Sequence, residues 1–144
     1  MTPVTDKLNL LLADSHVLFT KLHNYHWNIK GLQFLSLHQK TEEYYTEFAV
    51  IYDDLAERAL QLGEKPVVTL KKILEITRIE EETGSNFTPD QVVRNILKDF
   101  DHFYKEFKEL SSLAGDDVTT INYADDKIAY LEKEMWMMRS MLGE

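Results

Sequence analysis

Residues 23–38 read HNYHWNIKGLQFLSLH and place two histidines, His26 and His38, on either side of Gly31. Gly31 predicts the end of a helix, because glycine readily takes the left-handed conformation of a C-terminal cap. His26 lies five residues before this glycine and His38 seven residues after it. If the chain turns back here as an antiparallel helical hairpin, the two imidazoles reach similar heights on facing helices. One metal ion could then bridge them.

Apolar residues on both sides of this turn, and again further along the chain, recur at helical spacing and predict four long helices. The helices are expected to cover about residues 5–29, 34–62, 88–110 and 118–141. Thr88, Pro89 and Gln91 predict a capping box at the start of the third helix. Leu35 and Trp136 are expected on the buried faces of the second and fourth helices.

The connection between the second and third helices, residues 63–88, is too long for a tight loop. Its segment TLKKILEI, residues 69–76, is amphipathic and predicts a short helix capped by Thr69. Four long helices with one long crossover are typical of the ferritin-like topology. We therefore expect an all-α, ferritin-like four-helix bundle with a short extra helix in this connection, as one domain over residues 1–144.

Length and composition agree with a single helical domain. The chain has 144 residues, a common domain size, and no cysteine, which excludes disulfides and thiolate metal sites. No basic segment followed by an apolar run is present near its start, and no apolar run approaches the ~18–20 residues of a membrane span. We therefore expect a cytoplasmic protein without a membrane-spanning segment.

A pair of carboxylates, Asp53 and Glu57, lies further along the second predicted helix. Residues four apart share one helix face, about 6 Å from each other, so these two could also hold one ion. Two imidazoles and two carboxylates together form the ligand set of a non-haem iron site. Glu42 lies one helical turn after His38 and would face the same centre, where it could extend the site to a second ion.

The spacing between the two pairs conflicts with a site inside one chain. His38 and Asp53 are fifteen residues apart, which is about 22 Å along a helix at ~1.5 Å per residue. Metal–ligand bonds measure only ~2.0–2.2 Å, so one straight helix cannot bring both groups to one ion. Either the pairs are unrelated, or a second subunit supplies the missing half across a two-fold axis. On that scheme the axis passes near residues 45–47.

Simpler interpretations of the same residues remain open at this point. A histidine at a helix end is commonly packed or solvated, and we assign His16, His23 and His102 to that class. Asp53 and Glu57 could form an exposed acidic stripe paired with Arg58 or with lysine residues elsewhere. No glutamate lies three residues before a histidine, so the Glu-x-x-His motif of an iron site inside one bundle is missing.

At this point the motifs resemble a known family, the Dps mini-ferritins, and within it the bacterial branch that includes the neutrophil-activating protein. The resemblance is carried by His26-Trp27-Asn28, Gly31, Phe34 and His38, by DDLAER at residues 53–58 with Gly63, and by Tyr123-Ala124-Asp125-Asp126 and Trp136. It spans nearly the whole chain, and the combined spacing is more specific than any single piece.

The resemblance implies a hollow shell of twelve identical subunits with a ferroxidase centre at each two-fold interface. It implies that His26, His38, Asp53 and Glu57 bind iron, with Glu42 at a position where some members carry an acidic residue. It also implies oxidation of Fe(II), preferably by hydrogen peroxide, and storage of ferric mineral. Trp27, beside a ligand, could donate an electron, although packing is its simpler role.

Two other functions are compatible with such a chain. Some members of the family coat DNA, often through a lysine-rich tail, but the first ten residues here hold one basic residue and so do the last ten. A net charge of −9 further predicts weak DNA binding or none, because few phosphate counterions would be released. A purely structural helical assembly is the third alternative.

Acidic residues around the fourth helix are candidates for an iron entry pore, because a negative potential attracts cations. They are Asp116, Asp117, Asp125, Asp126 and Glu132. The alternative is a solvated helix start, where aspartate is favourable to the helix dipole.

Overall fold

Five helices form the regular structure of residues 2–144, which the computed structural model describes. They are α1 (Pro3–Asn28), α2 (Phe34–Gln61), α3 (Leu70–Ile76), α4 (Pro89–Leu113) and α5 (Val118–Met141). The described part of the chain contains no strand, only an isolated bridge between Ile29 and Phe87. The expected all-α, ferritin-like bundle with a short helix in the long connection is confirmed. None of these helices is long and apolar enough to cross a membrane.

Capping boxes fix the starts of two of the long helices. The Thr88 hydroxyl accepts a hydrogen bond from the Gln91 amide, and the Gln91 side chain accepts one from the Thr88 amide, as predicted. An equivalent reciprocal pair joins Thr2 and Thr5. This second box starts α1 at Pro3, two residues before the predicted position. The short helix α3 begins after Thr69, whose side chain accepts from the Lys72 amide.

The turn between α1 and α2 differs from the prediction in one respect. Gly31 does not cap α1, because the helix ends at Asn28 and Ile29 continues in an extended conformation. The next residues pair with the end of the long connection in the isolated bridge, where the Lys30 amide donates to the Phe87 carbonyl at 2.9 Å. Gly31 has a φ of +132°, and a Cβ there would lie 3.0 Å from Pro89 Cδ. The glycine is therefore required by the turn and by the close approach of α4.

The core is built from the apolar faces of the four long helices. Its largest fully buried side chains are Tyr25, Tyr44, Phe48, Phe100, Phe103 and Phe107. Two residues that we expected to be buried are not: Trp136 is 60% exposed and Leu35 is 67% exposed. Both belong to helices whose apolar residues extend around more than one face, so helical spacing alone did not identify the face that packs inside the bundle.

A buried ionic cluster holds the long connection against the bundle. The carboxylate of Asp14, fully buried on α1, accepts hydrogen bonds from the Arg78 amide at 2.7 Å and from the Thr77 hydroxyl at 2.9 Å. The Arg78 guanidinium and His102 Nε2 also donate to it, at 2.7 Å and 2.9 Å. Burial would raise the pKa of Asp14, but the hydrogen bonds from His102 and Arg78 outweigh it and the pKa is lowered. His102 thus has a structural role, as we expected.

We predict that Asp14→Asn lowers the free energy of unfolding by about 2 kcal/mol at neutral pH, because several buried hydrogen bonds to a charged carboxylate are lost or weakened, while Arg78 keeps its ion pair with Glu106. Folding lowers the pKa of Asp14. Its contribution to the free energy of unfolding is therefore complete above the ordinary aspartate pKa and is lost as the pH falls through the lowered pKa of the folded protein. Denaturant unfolding at several pH values measures both effects. Asp101→Asn, which breaks the exposed pair with Lys105, is the control and should cost under about 1 kcal/mol. Equal losses in the two variants would contradict the role assigned to Asp14.

Candidate metal centre

His26 and His38 face each other across the α1–α2 hairpin. Their rings are stacked with centroids 3.7 Å apart and an interplanar angle of 12°. His26 Nδ1 donates to the His38 carbonyl at 2.7 Å, and His38 Nδ1 donates to the His26 carbonyl at 2.8 Å. The prediction that the hairpin brings the two histidines to the same height is confirmed.

These reciprocal hydrogen bonds determine which nitrogen is available for a metal. A carbonyl oxygen can only accept, so the proton of each neutral ring must be on Nδ1. Nε2 of both rings therefore carries the lone pair, which is the form that binds a metal ion. Metal-ligating histidines are commonly oriented by a backbone carbonyl at the other ring nitrogen, and His26 and His38 have that arrangement before any metal binds.

The surroundings of His26 favour its neutral form. The side chain is almost completely buried, and the Thr41 hydroxyl lies 3.1 Å from Nδ1. Burial lowers the pKa of His26, and the hydrogen bond to the His38 carbonyl only partly opposes this. A neutral imidazole at physiological pH does not need to lose a proton before it binds a cation.

The carboxylate pair lies at the other end of the same helix. Because α2 runs unbroken from Phe34 to Gln61, His38 and Asp53 are separated by about 22 Å along its axis, at ~1.5 Å per residue. Asp53 and Glu57 are exposed. Among residues 2–144, no three histidine, aspartate or glutamate side chains lie close enough to hold one ion. One chain therefore presents two separate half-sets of candidate ligands, His26 with His38 and Asp53 with Glu57.

Arg58 does not pair with Asp53 or Glu57, as the alternative of an acidic stripe would require, because its contacts lie elsewhere. Its guanidinium donates to the Asp117 carboxylate at 2.9 Å, to the Thr120 hydroxyl at 2.9 Å and to Gln61 at 3.0 Å. Asp117 also caps α5 by accepting from the Thr120 amide. These contacts join α2 to the start of α5, so Asp117 has a structural role and is the weakest of the pore candidates.

Tyr45 is a site residue that the sequence reasoning missed. Its ring stacks on His23 with centroids 3.8 Å apart and meets the His26 ring edge-on at 5.2 Å. Its hydroxyl lies 3.5 Å from the exposed Glu42 carboxylate, at the limit of a hydrogen bond. Desolvation and the Glu42 charge raise the pKa of Tyr45. The signal was available, because Tyr45 follows His38 by seven residues and so shares its helix face.

Trp27 lies further from the ligand rings than Tyr45. Its side chain is 68% exposed, and its ring contacts the His23 ring at a centroid distance of 5.2 Å. In the single chain Trp27 is thus not part of the core. The remaining histidine of this face, His16, stacks on Tyr52 with centroids 4.7 Å apart.

Comparisons with known proteins identify relatives of this chain. A family profile described as a ferritin-like domain matches residues 5–144. The DNA protection during starvation protein of Helicobacter pylori is 49% identical over 139 residues, which cover 94% of this chain and 96% of that protein. The crystal structure of Helicobacter cinaedi CAIP is similar with a TM-score of 0.94 and 44% identity, covering 96% of this chain and 99% of that one.

A third similar protein is a Dps protein of known structure. The structure of Dps from Vibrio cholerae O1 has a TM-score of 0.91 and 33% identity, covering 96% of this chain and 88% of that one. It is described as a member of a broad superfamily of ferritin-like diiron-carboxylate proteins. With a matching domain over nearly its full length and Dps relatives of this similarity, the chain belongs to the Dps family of ferritin-like proteins.

Proposed function

We propose that this protein is a ferroxidase that oxidises Fe(II), with hydrogen peroxide as the oxidant, and stores the ferric product inside a hollow shell of twelve subunits. One observation carries the proposal. The stacked rings of His26 and His38 each donate through Nδ1 to a backbone carbonyl, which leaves Nε2 as the nitrogen for a metal, while the carboxylates that would complete an iron site lie about 22 Å away at the other end of α2.

A two-fold axis near the middle of α2 would resolve this separation. Each centre would take His26 and His38 from one subunit and the partner subunit's Asp53 and Glu57. Two such centres would form per dimer, because the contact is the same in both directions. Glu42, on the same face as His38, would complete the position for a second iron ion.

The ligand set suits Fe(II) oxidation. Imidazole and carboxylate groups bind Fe(II) and leave coordination positions open for an oxidant. Two Fe(II) ions and two protons reduce one hydrogen peroxide to two waters, so electrons taken in pairs release no hydroxyl radical. Zinc would bind such a site at least as tightly by the Irving–Williams order, and we favour iron because the similar Dps protein of Vibrio cholerae O1 is described as a ferritin-like diiron-carboxylate protein.

Anomalous scattering at the iron edge from iron-soaked crystals tests the proposal. We expect iron between the histidine pair of one subunit and the carboxylate pair of its partner. Rapid oxidation of Fe(II) by peroxide in solution should accompany it. Iron bound at the surface away from both pairs, or protein that oxidises Fe(II) no faster than buffer does, would contradict the proposal.

DNA coating is the second candidate function, because relatives carry the name DNA protection during starvation protein. We predict that the shell shifts DNA in a gel only weakly and only at low salt. A subunit of charge −9 offers few cations to replace phosphate counterions. A lysine-rich tail added to this chain serves as the positive control. Tight binding by the unmodified protein at about 0.15 M salt, where the Debye length is ~8 Å, would favour the DNA-coating function instead.

A further inference from the structure

Tyr45 is held at the candidate metal centre by rings on three sides. It stacks on His23 at 3.8 Å, lies edge-on to His26 at 5.2 Å and edge-on to Phe19 at 6.1 Å, all measured between ring centroids. The ring is half-buried, and its position is defined by side chains of α1. Its hydroxyl points towards Glu42, at 3.5 Å.

Tyr45, rather than Trp27, is the aromatic side chain with a phenol in contact with a candidate ligand, whereas Phe34, which stacks on His38 at 5.0 Å, carries no hydroxyl. Trp27 follows His26 in sequence, but its ring contact is with His23, which lies between it and Tyr45. The aromatic contacts then continue from Tyr45 through Phe19 to Tyr52, with centroids 6.1 Å and 5.9 Å apart. Tyr52 directly precedes Asp53 in sequence, so the row of rings runs from the histidine pair towards the part of α2 that carries the carboxylate pair.

From these contacts we propose that Tyr45 is the electron donor that completes peroxide reduction when only one Fe(II) ion occupies a centre. This inference rests on the proposed ferroxidase function and adds a catalytic residue to it. A single Fe(II) supplies one electron, whereas cleavage of the peroxide O–O bond to water and hydroxide requires two. The phenol of Tyr45 would supply the second electron and a proton.

The step balances in atoms, electrons and charge. Fe(II), hydrogen peroxide and the Tyr45 phenol give Fe(III), hydroxide, water and a neutral Tyr45 phenoxyl radical. The O–O bond breaks, iron and tyrosine each lose one electron, and the phenol proton ends in the water molecule, with the Glu42 carboxylate beside the hydroxyl to pass it on. A later Fe(II) ion, with one proton, would return the radical to tyrosine and leave a second Fe(III).

The test compares wild type with Tyr45→Phe, which keeps the ring and its packing but removes the hydroxyl. Each shell is loaded with one Fe(II) per subunit, mixed with hydrogen peroxide and frozen for electron paramagnetic resonance, and a spin trap reports hydroxyl radical in parallel samples. We expect a tyrosyl radical in wild type, its loss in Tyr45→Phe, and a severalfold increase in trapped hydroxyl radical in the variant. Tyr104→Phe, on α4 beside Glu132, is the matched control and should behave like wild type.

Two outcomes would overturn the inference. One is an unchanged tyrosyl signal in Tyr45→Phe, and the other is loss of the radical in Trp27→Phe but not in Tyr45→Phe. Peptide mass mapping of wild type after repeated one-iron turnovers is a second measurement that needs no variant, and oxidation products should concentrate on Tyr45. Wild type loaded with two Fe(II) per subunit separates the two proposals, because two iron ions supply both electrons and Tyr45 is not needed there. Slow oxidation under that condition refutes the ferroxidase function itself. Fast oxidation under that condition, together with one-iron samples in which neither the radical signal nor the trapped hydroxyl radical depends on Tyr45, refutes only this inference.

Discussion

Replacing His26 or His38 with alanine is expected to slow rapid Fe(II) oxidation by about a hundredfold, since losing even an outer-shell partner of a metal ligand typically costs about 10–100-fold. Each change removes an Nε2 lone pair that the backbone carbonyls hold ready for a cation. It also leaves one carbonyl of the hairpin without its imidazole donor, at a cost of about 1–3 kcal/mol. The bundle should tolerate that loss, because neither ring belongs to its apolar core.

Stopped-flow absorbance of the ferric product measures the rate, and gel filtration verifies the shell. His16→Ala is the matched control, because His16 lies on the same face of α1 and stacks on Tyr52 but belongs to neither half-set of ligands. It should oxidise Fe(II) at close to the wild-type rate. If both ligand variants assemble normally and retain wild-type rates, the two histidines are not part of the oxidation site.

Much of the fold could be predicted because its boundaries are set by local chemistry. Thr88 and Gln91 form a capping box from a spacing of three residues, and Thr69 caps α3 through a single hydroxyl. Local sequence wrongly predicted that Gly31 caps the end of α1, whereas the glycine is needed for a turn packed against Pro89. That contact joins residues far apart in sequence, so no local pattern could have indicated it.

The site could be predicted in outline but not in its details. Helical rise was sufficient to show that His38 and Asp53 cannot share an ion within one subunit. Helical period indicates which residues share a face, but it does not indicate whether that face packs inside the bundle or lies on its surface, which is why Trp136 was misplaced. The tautomer of His26 and the contact of Tyr45 with its ring depend on the angle at which α1 and α2 pack, and only the structure gives that angle.

Complementation between two inactive variants tests the shared centre most directly. One variant carries His26→Ala and His38→Ala, and the other carries Asp53→Ala and Glu57→Ala, so neither alone can form an intact centre. In an equal, random mixture about half of the dimers contain one subunit of each kind, and in each of these one of the two symmetric centres is intact. Co-refolded mixtures should therefore recover about a quarter of the wild-type centres, from a background near zero.

The recovered fraction distinguishes the possible arrangements of the ligands. A centre formed within one subunit gives no recovery at any mixing ratio, since every chain in the mixture lacks half of its ligands. A centre shared across a two-fold axis gives recovery that rises and falls with the product of the two chain fractions and is greatest at equal amounts. Mass spectrometry of the intact shells establishes that the chains have mixed. Verified mixed shells that remain as inactive as the separate variants would exclude the shared centre and leave the two pairs as unrelated sites.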